Sequence, residues 1–373
     1  MALRGKLAGF LISFSAFTLS SVYADTPTEP QVQADSQTGS DTPVTVSGTD
    51  ESTSSPLTTA EPAREILAET AIMYGTFQSD AGQYNRNFNS SDDIERASKT
   101  LGSHNPQELA SGWFAYSALL ASESTSYANA VRRTEAHYGR DRLLLGLRNS
   151  NTYALSLDGS TDALNKALKA GDADAFRLKR IGAGITRQSR SDLQALGWAK
   201  AKLRGNSAKF ASEIEAAAKD GRPMAGNVRT LFDITRLDTS LSQANLLGSS
   251  GSLWDSISVA GSSTDLRLPG VSVSGVSGTQ PYSRRNRDYD FINGRIATLA
   301  AYRILGETDT NTAVLAETLN DSQVTGGMTD CISTAQLEFR GCVVGNHFVF
   351  ERAFCIGEHA VADIGRCIEK VSQ

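Results

Sequence analysis

Residues 329–370 read TDCISTAQLEFRGCVVGNHFVFERAFCIGEHAVADIGRCIEK and hold all four cysteines of a 373-residue chain: Cys331, Cys342, Cys355 and Cys367. Residues that face each other across an antiparallel helical hairpin lie at equal distances along the chain from one centre. Cys342 with Cys355, and Cys331 with Cys367, share such a centre near Phe348. The nested pairing Cys331–Cys367 and Cys342–Cys355 therefore fits a disulfide-stapled hairpin. If Thr329 to Val343 is one helix, Cys331 and Cys342 lie on nearly one face but about 16 Å apart along its axis. That is far beyond the roughly 4.4–6.8 Å that a disulfide allows between Cα atoms. The alternative is a three-helix zigzag, broken near Gly345 and Gly357, which pairs Cys331 with Cys355 and Cys342 with Cys367.

A metal is the competing use of these thiols, because His347 and His359 interleave with Cys355 and Cys367. Tight structural zinc sites usually contain a close pair such as C-x2-C, and the chain has none. In an oxidising compartment four thiols are more often bridges than ligands. The reading is therefore bridges, with no metal. No C-x-x-C-H is present to attach a c-type haem, and no cofactor is expected.

The amino-terminal end points to the same compartment. Arg4 and Lys6 precede an apolar run from Leu7 to Ser20, and Val22-Tyr23-Ala24 places small residues before a cut, which is the layout of a signal peptide over residues 1–24. That run is too short to span a bilayer comfortably, and no transmembrane segment is expected once it is removed. Residues 25–60 are Ser, Thr, Pro, Gln and acids with almost no aliphatic content, and this acidic linker is expected to be disordered. It carries six acidic and no basic residues. Without it and the signal, the net charge of −5 shrinks to 35 acids against 34 bases. A nearly neutral body lacks the basic face that a nucleic-acid partner needs. The expected localisation is periplasmic or secreted.

After Ala60 the apolar residues recur three and four apart, so the expected fold is all-α, an irregular array of helical hairpins ending in the stapled one. Glu61-Pro62, Ser90 or Ser91, and Asn105-Pro106 mark helix starts. Further helices are expected over 127–138, 140–147, 162–170, 173–203, 208–219 and 288–305. The domain reading is a main helical domain over 61–260, a Gly/Ser-rich loop or flap over 261–287, and a carboxy-terminal helical part over 288–373. Gly112-Trp113 and Gly197-Trp198 open two stretches that echo each other, as helical hairpins in general do. Gly182-Ala183-Gly184 reads as a kink or a close helix contact.

Hydrolase, phosphate-loop and calcium-loop signatures are absent. His137, near a helix end, reads as a surface residue. The best polar candidate is Tyr282, Arg284, Arg285, Arg287 and Tyr289, with Arg295 two turns on: guanidinium forks match carboxylates and phosphates, so this loop is an anion-site candidate. The functional expectation is a non-enzymatic binding or structural protein of a bacterial envelope, whose partner is an envelope protein or polymer. The alternative is a cell-wall glycan or peptide hydrolase with Glu65 or Glu69 as the acid; these two share a helical face.

Overall fold

The computed structural model describes residues 65–85, 87–150, 152–203, 205–235, 254, 287–308, 312–320 and 322–372. The signal-like segment, the acidic linker, Pro62 and nearly all of the 261–287 loop lie outside the described residues. The elements in order are α1 (Ile66–Gln83), α2 (Ser91–Gly102), α3 (Pro106–Ser122), α4 (Thr125–Tyr138), α5 (Arg140–Asn149), α6 (Ser160–Arg190), α7 (Asp192–Ala195), α8 (Ser207–Asp220) and α9 (Gly226–Thr235). After the gap come α10 (Arg287–Ile304), α11 (Thr312–Asn320), α12 (Ser322–Gly345), α13 (Val349–Cys355), a π segment (Ile356–Ala362) and α14 (Asp363–Ser372). The fold is all-α, and no strand occurs among the described residues.

Local chemistry sets the helix starts. Ser90 accepts the Asp93 amide at 3.1 Å and so caps α2, with Asp92 and Asp93 in the first turn where acids suit the helix dipole. Asn105 accepts from the amides of Gln107 (2.9 Å) and Glu108 (3.3 Å) ahead of Pro106. From there the pattern of burial decides the layers. Every residue of α3 from Leu109 to Ser122 is buried, and the segment carries no charge after Glu108. A helix apolar on all sides has to sit at the centre. α3 does so, surrounded by α1, α6, α10 and α12.

The second spine is α6, 31 residues long and thus about 46 Å. One side packs on α1 and α3 and another on α13, the π segment and α14. The sequence suggested two helices here, split around Gly171-Asp172. Instead both residues are used in packing: a Cβ on Gly171 would lie 3.0 Å from the Ser372 Cβ, and Asp172 accepts a hydrogen bond from the Ser372 hydroxyl at 2.7 Å. The helix ends at Arg190, not Leu203. Residues 199–203, the end of a turn followed by an isolated bridge from Lys202 to Phe348, hold the turn of the terminal hairpin by backbone hydrogen bonds, Leu203 N to His347 O (2.9 Å), Val349 N to Ala201 O (3.2 Å) and Phe350 N to Ala199 O (3.1 Å). Trp198 therefore lies in a turn while Trp113 sits in mid-helix, and the echo between the two Gly-Trp stretches is not a structural repeat.

The terminal hairpin is stapled in the nested way. Cys331 bonds Cys367 and Cys342 bonds Cys355, with Cα separations of 5.7 and 5.8 Å, and no cysteine is free. The zigzag fails because its second break does not exist: Gly357 lies inside continuous helix. Between the staples the outgoing arm has ten residues and the returning arm eleven. The π segment absorbs the extra one, since a π turn inserts a residue into an α-helix. Glu351 closes the turn by accepting from the amides of His347 (2.6 Å) and Phe348 (2.9 Å).

Candidate functional site

Gly182 on α6 and Gly357 in the π segment make the closest crossing in this part of the molecule. A Cβ on Gly182 would lie 2.4 Å from Gly357 O, and one on Gly357 would lie 2.7 Å from Gly182 O. The Gly182-Ala183-Gly184 stretch is thus a close helix contact through Gly182. Beside the crossing runs a groove of about 580 Å³, lined by Lys179, Arg187 and Arg190 from α6 and by Glu358 and Arg366 from the returning helix. On α6 the three basic residues fall eight and three positions apart and so share a face.

Most of these charges are held in place. Arg366 bonds Glu358 at 2.8 Å and also bonds Asp363, while Lys179 bonds Glu369. Arg190 lies over the Phe354 ring, 5.0 Å from its centroid, a geometry in which the ring face attracts a cation. Arg187 is exposed and makes no side-chain ion pair among the described residues. The groove therefore offers an unneutralised guanidinium next to oriented ones, with Glu358 as its single acid. A free guanidinium fork has the geometry to pair bidentately with a carboxylate or phosphate.

The anion-site residues named from the sequence are only partly placed. Tyr282, Arg284 and Arg285 lie outside the described residues, and for Arg287 and Tyr289 only the backbone, in the first turn of α10, is described. Arg295 is half-buried with its guanidinium over the Phe291 ring at 5.9 Å. Of the proposed acids, Glu65 is buried and gripped by Arg303, whose Nε lies 3.0 and 3.2 Å from its two oxygens. Glu69 is exposed. His137 is exposed at the end of α4.

Two polar networks escaped the sequence reading. In one, Asp80 and His104, 1 % and 2 % exposed, meet at 2.9 Å, and Arg222 reaches Asp80 from the α8–α9 connection at 3.2 Å. Burial alone would raise the Asp80 carboxyl, but hydrogen bonds from His104 and Arg222 hold it below the usual range. Burial pushes the His104 imidazole down, so the neutral ring donates from Nε2. In the other, the Tyr74 hydroxyl donates to Asp174 (2.9 Å) and accepts from Gln78 (2.8 Å), and the Trp254 indole donates to the same Asp174 oxygen (3.0 Å). Arg177 bonds the carbonyl and side chain of Gln78, each at 3.0 Å. Apart from the half-buried Arg222 their members are buried, so the networks tie α1 to the α2–α3 connection, to α6 and to the later segments. No local motif announces them, because their members lie far apart in the chain.

No protein family, curated protein or solved structure matches this chain.

Proposed function

We propose that this chain is an exported helical protein of the cell envelope that acts by binding, and that the groove between α6 and the returning helix holds an anionic envelope polymer. One observation carries the reading: Arg187 and Arg190 line this concavity with no ion pair to either among the described residues, beside Lys179 and Arg366, whose charges are already held by carboxylates. In a body of nearly balanced charge, a local cluster of that kind is a selective feature and not a reflection of overall composition. Arginine suits the role because its planar fork matches carboxylate and phosphate oxygens and is weakly hydrated. Export is supported by the signal-like residues 1–24, by the acidic linker, and by the pairing of every cysteine. Among the described residues no helix is long and apolar enough to cross a membrane.

The test uses the full chain with its disulfides intact, co-sedimented with insoluble peptidoglycan across a salt series. The bound fraction should fall as salt rises, because exposed charges are screened. It should also fall at least about tenfold in the double variant Arg187→Glu/Arg190→Glu, each lost contact to a charged group being about 1.5–3 kcal/mol. Binding that ignores both salt and the double variant would refute the groove. In the native host, the chain should be recovered from the envelope fraction with Asp25 as its first residue.

A further inference from the structure

The thiols that raised the question of a metal are consumed in bridges, but a different donor set lies one turn away along the same helix. His359 Nδ1 is 2.8 Å from Asp363 Oδ2 and 3.6 Å from Glu338 Oε2. The three donor atoms all fall within 4.8 Å of one another. We propose that Glu338, His359 and Asp363 form a site for a divalent metal ion of the zinc type, which clamps α12 to the returning helix one turn from the Cys331–Cys367 bridge.

The geometry fits the chemistry in three ways. With zinc–ligand bonds of about 2.0–2.1 Å, ligand atoms in a tetrahedral site lie about 3.3 Å apart, and the two measured separations bracket that distance. A mixed nitrogen and oxygen set of one imidazole and two carboxylates suits a borderline cation, and three protein ligands leave one position open to water. The supporting shell is also present: Asp363 gives its other oxygen to Arg366, which Glu358 holds from the far side, so Oδ2 is the oxygen turned toward His359. The guanidinium is occupied by these two carboxylates and its charge is largely spent on them. Glu338 comes from the other arm, so the ion would join two helices and not two turns of one. Its side chain is 53 % exposed, against 22 % for His359 and 18 % for Asp363, and it is free to close the longer gap. The site lies in a shallow cleft of about 470 Å³ that Glu338 and Asp363 line together with both sulfur-bearing residues of the outer staple.

The site is tested by calorimetric titration of the full, oxidised chain with zinc chloride in a non-chelating buffer. The expected result is one ion per chain, with affinity at least about tenfold weaker in His359→Gln and in Glu338→Gln, since even outer partners of a metal site are worth 10–100-fold. His347→Gln, which changes an exposed histidine outside the site, should titrate like the parent. Because Glu338 is half-exposed, its variant keeps the fold and carries the test even if His359→Gln does not; helical circular dichroism reports this. Absence of saturable binding, a Glu338→Gln variant that binds as tightly as the parent, or a loss in His347→Gln equal to that in His359→Gln would each overturn the proposal.

Discussion

Replacing Gly182 by alanine adds one methyl group at the point where α6 meets the π segment. The new Cβ would stand 2.4 Å from Gly357 O, 2.8 Å from Ala362 Cβ and 3.0 Å from Ala362 N, where ordinary contacts begin at 3.4 Å. Two of these atoms are backbone and cannot rotate away, so the helices must part by about 1 Å, and a gap of that size forfeits about a quarter to a half of each neighbouring dispersion contact. Overpacking of this kind costs about 1–3 kcal/mol, here at the upper end. The gain in helix propensity from Gly to Ala, about 1 kcal/mol, offsets part of it. The net expectation is destabilisation by about 2 kcal/mol. Gly184, two residues along the same helix, has nothing within 4 Å of its added Cβ. Gly184→Ala should therefore stabilise by about 0.5–1 kcal/mol. Urea unfolding followed by circular dichroism, with disulfides intact, compares the two. Midpoints that move in the same direction would refute the close crossing and with it the groove built on it.

Two further outcomes follow from the bridges and from the buried histidine. Opening the outer staple by Cys331→Ser/Cys367→Ser frees a 36-residue span and opening the inner one by Cys342→Ser/Cys355→Ser a 13-residue span; the chain-entropy estimate is about 4 and about 3 kcal/mol respectively, and a non-reducing peptide map should recover only nested pairs. Acid should weaken the fold in two stages. As pH falls through about 6.5 the unfolded chain protonates His104 while burial holds the folded ring below that value, and below about 3.9 the same asymmetry applies to Asp80. Both groups are depressed in the folded state, so both stabilise at neutral pH and lose that contribution on acidification. The urea midpoint should drop between pH 7.5 and 5 in the parent and less so in His104→Gln; equal slopes would exclude His104 as the cause.

The helical class was legible because residue spacing and capping are local. Ser90 and Asn105 cap the helices whose starts they mark, and the symmetry of the cysteines about Phe348 is a property of any hairpin, whatever its loop. The continuity of α6 was not legible, because Gly171-Asp172 resembles a stop until Ser372 packs against it from the other end of the chain. The groove was half-legible: Lys179, Arg187 and Arg190 form a stripe on one face of α6, but nothing local shows which helix completes it. Glu338 and His359 share the centre of symmetry of the inner cysteine pair, so the reasoning that paired the sulfurs also sets these two side chains opposite each other. No short ligand spacing marks the pair in the sequence, because its members stand on opposite arms of the hairpin.

A pull applied to the chain beyond Cys367 reaches the outer staple before the rest of the hairpin. Such a pull passes through sulfur into α12 and does not unwind the hairpin. The 36-residue separation of the two cysteines would contribute nothing to the extended length while the bond lasts, about 120 Å of slack at full extension. The hairpin is thus a mechanical latch toward force from that side, and reduction of one bond would release it.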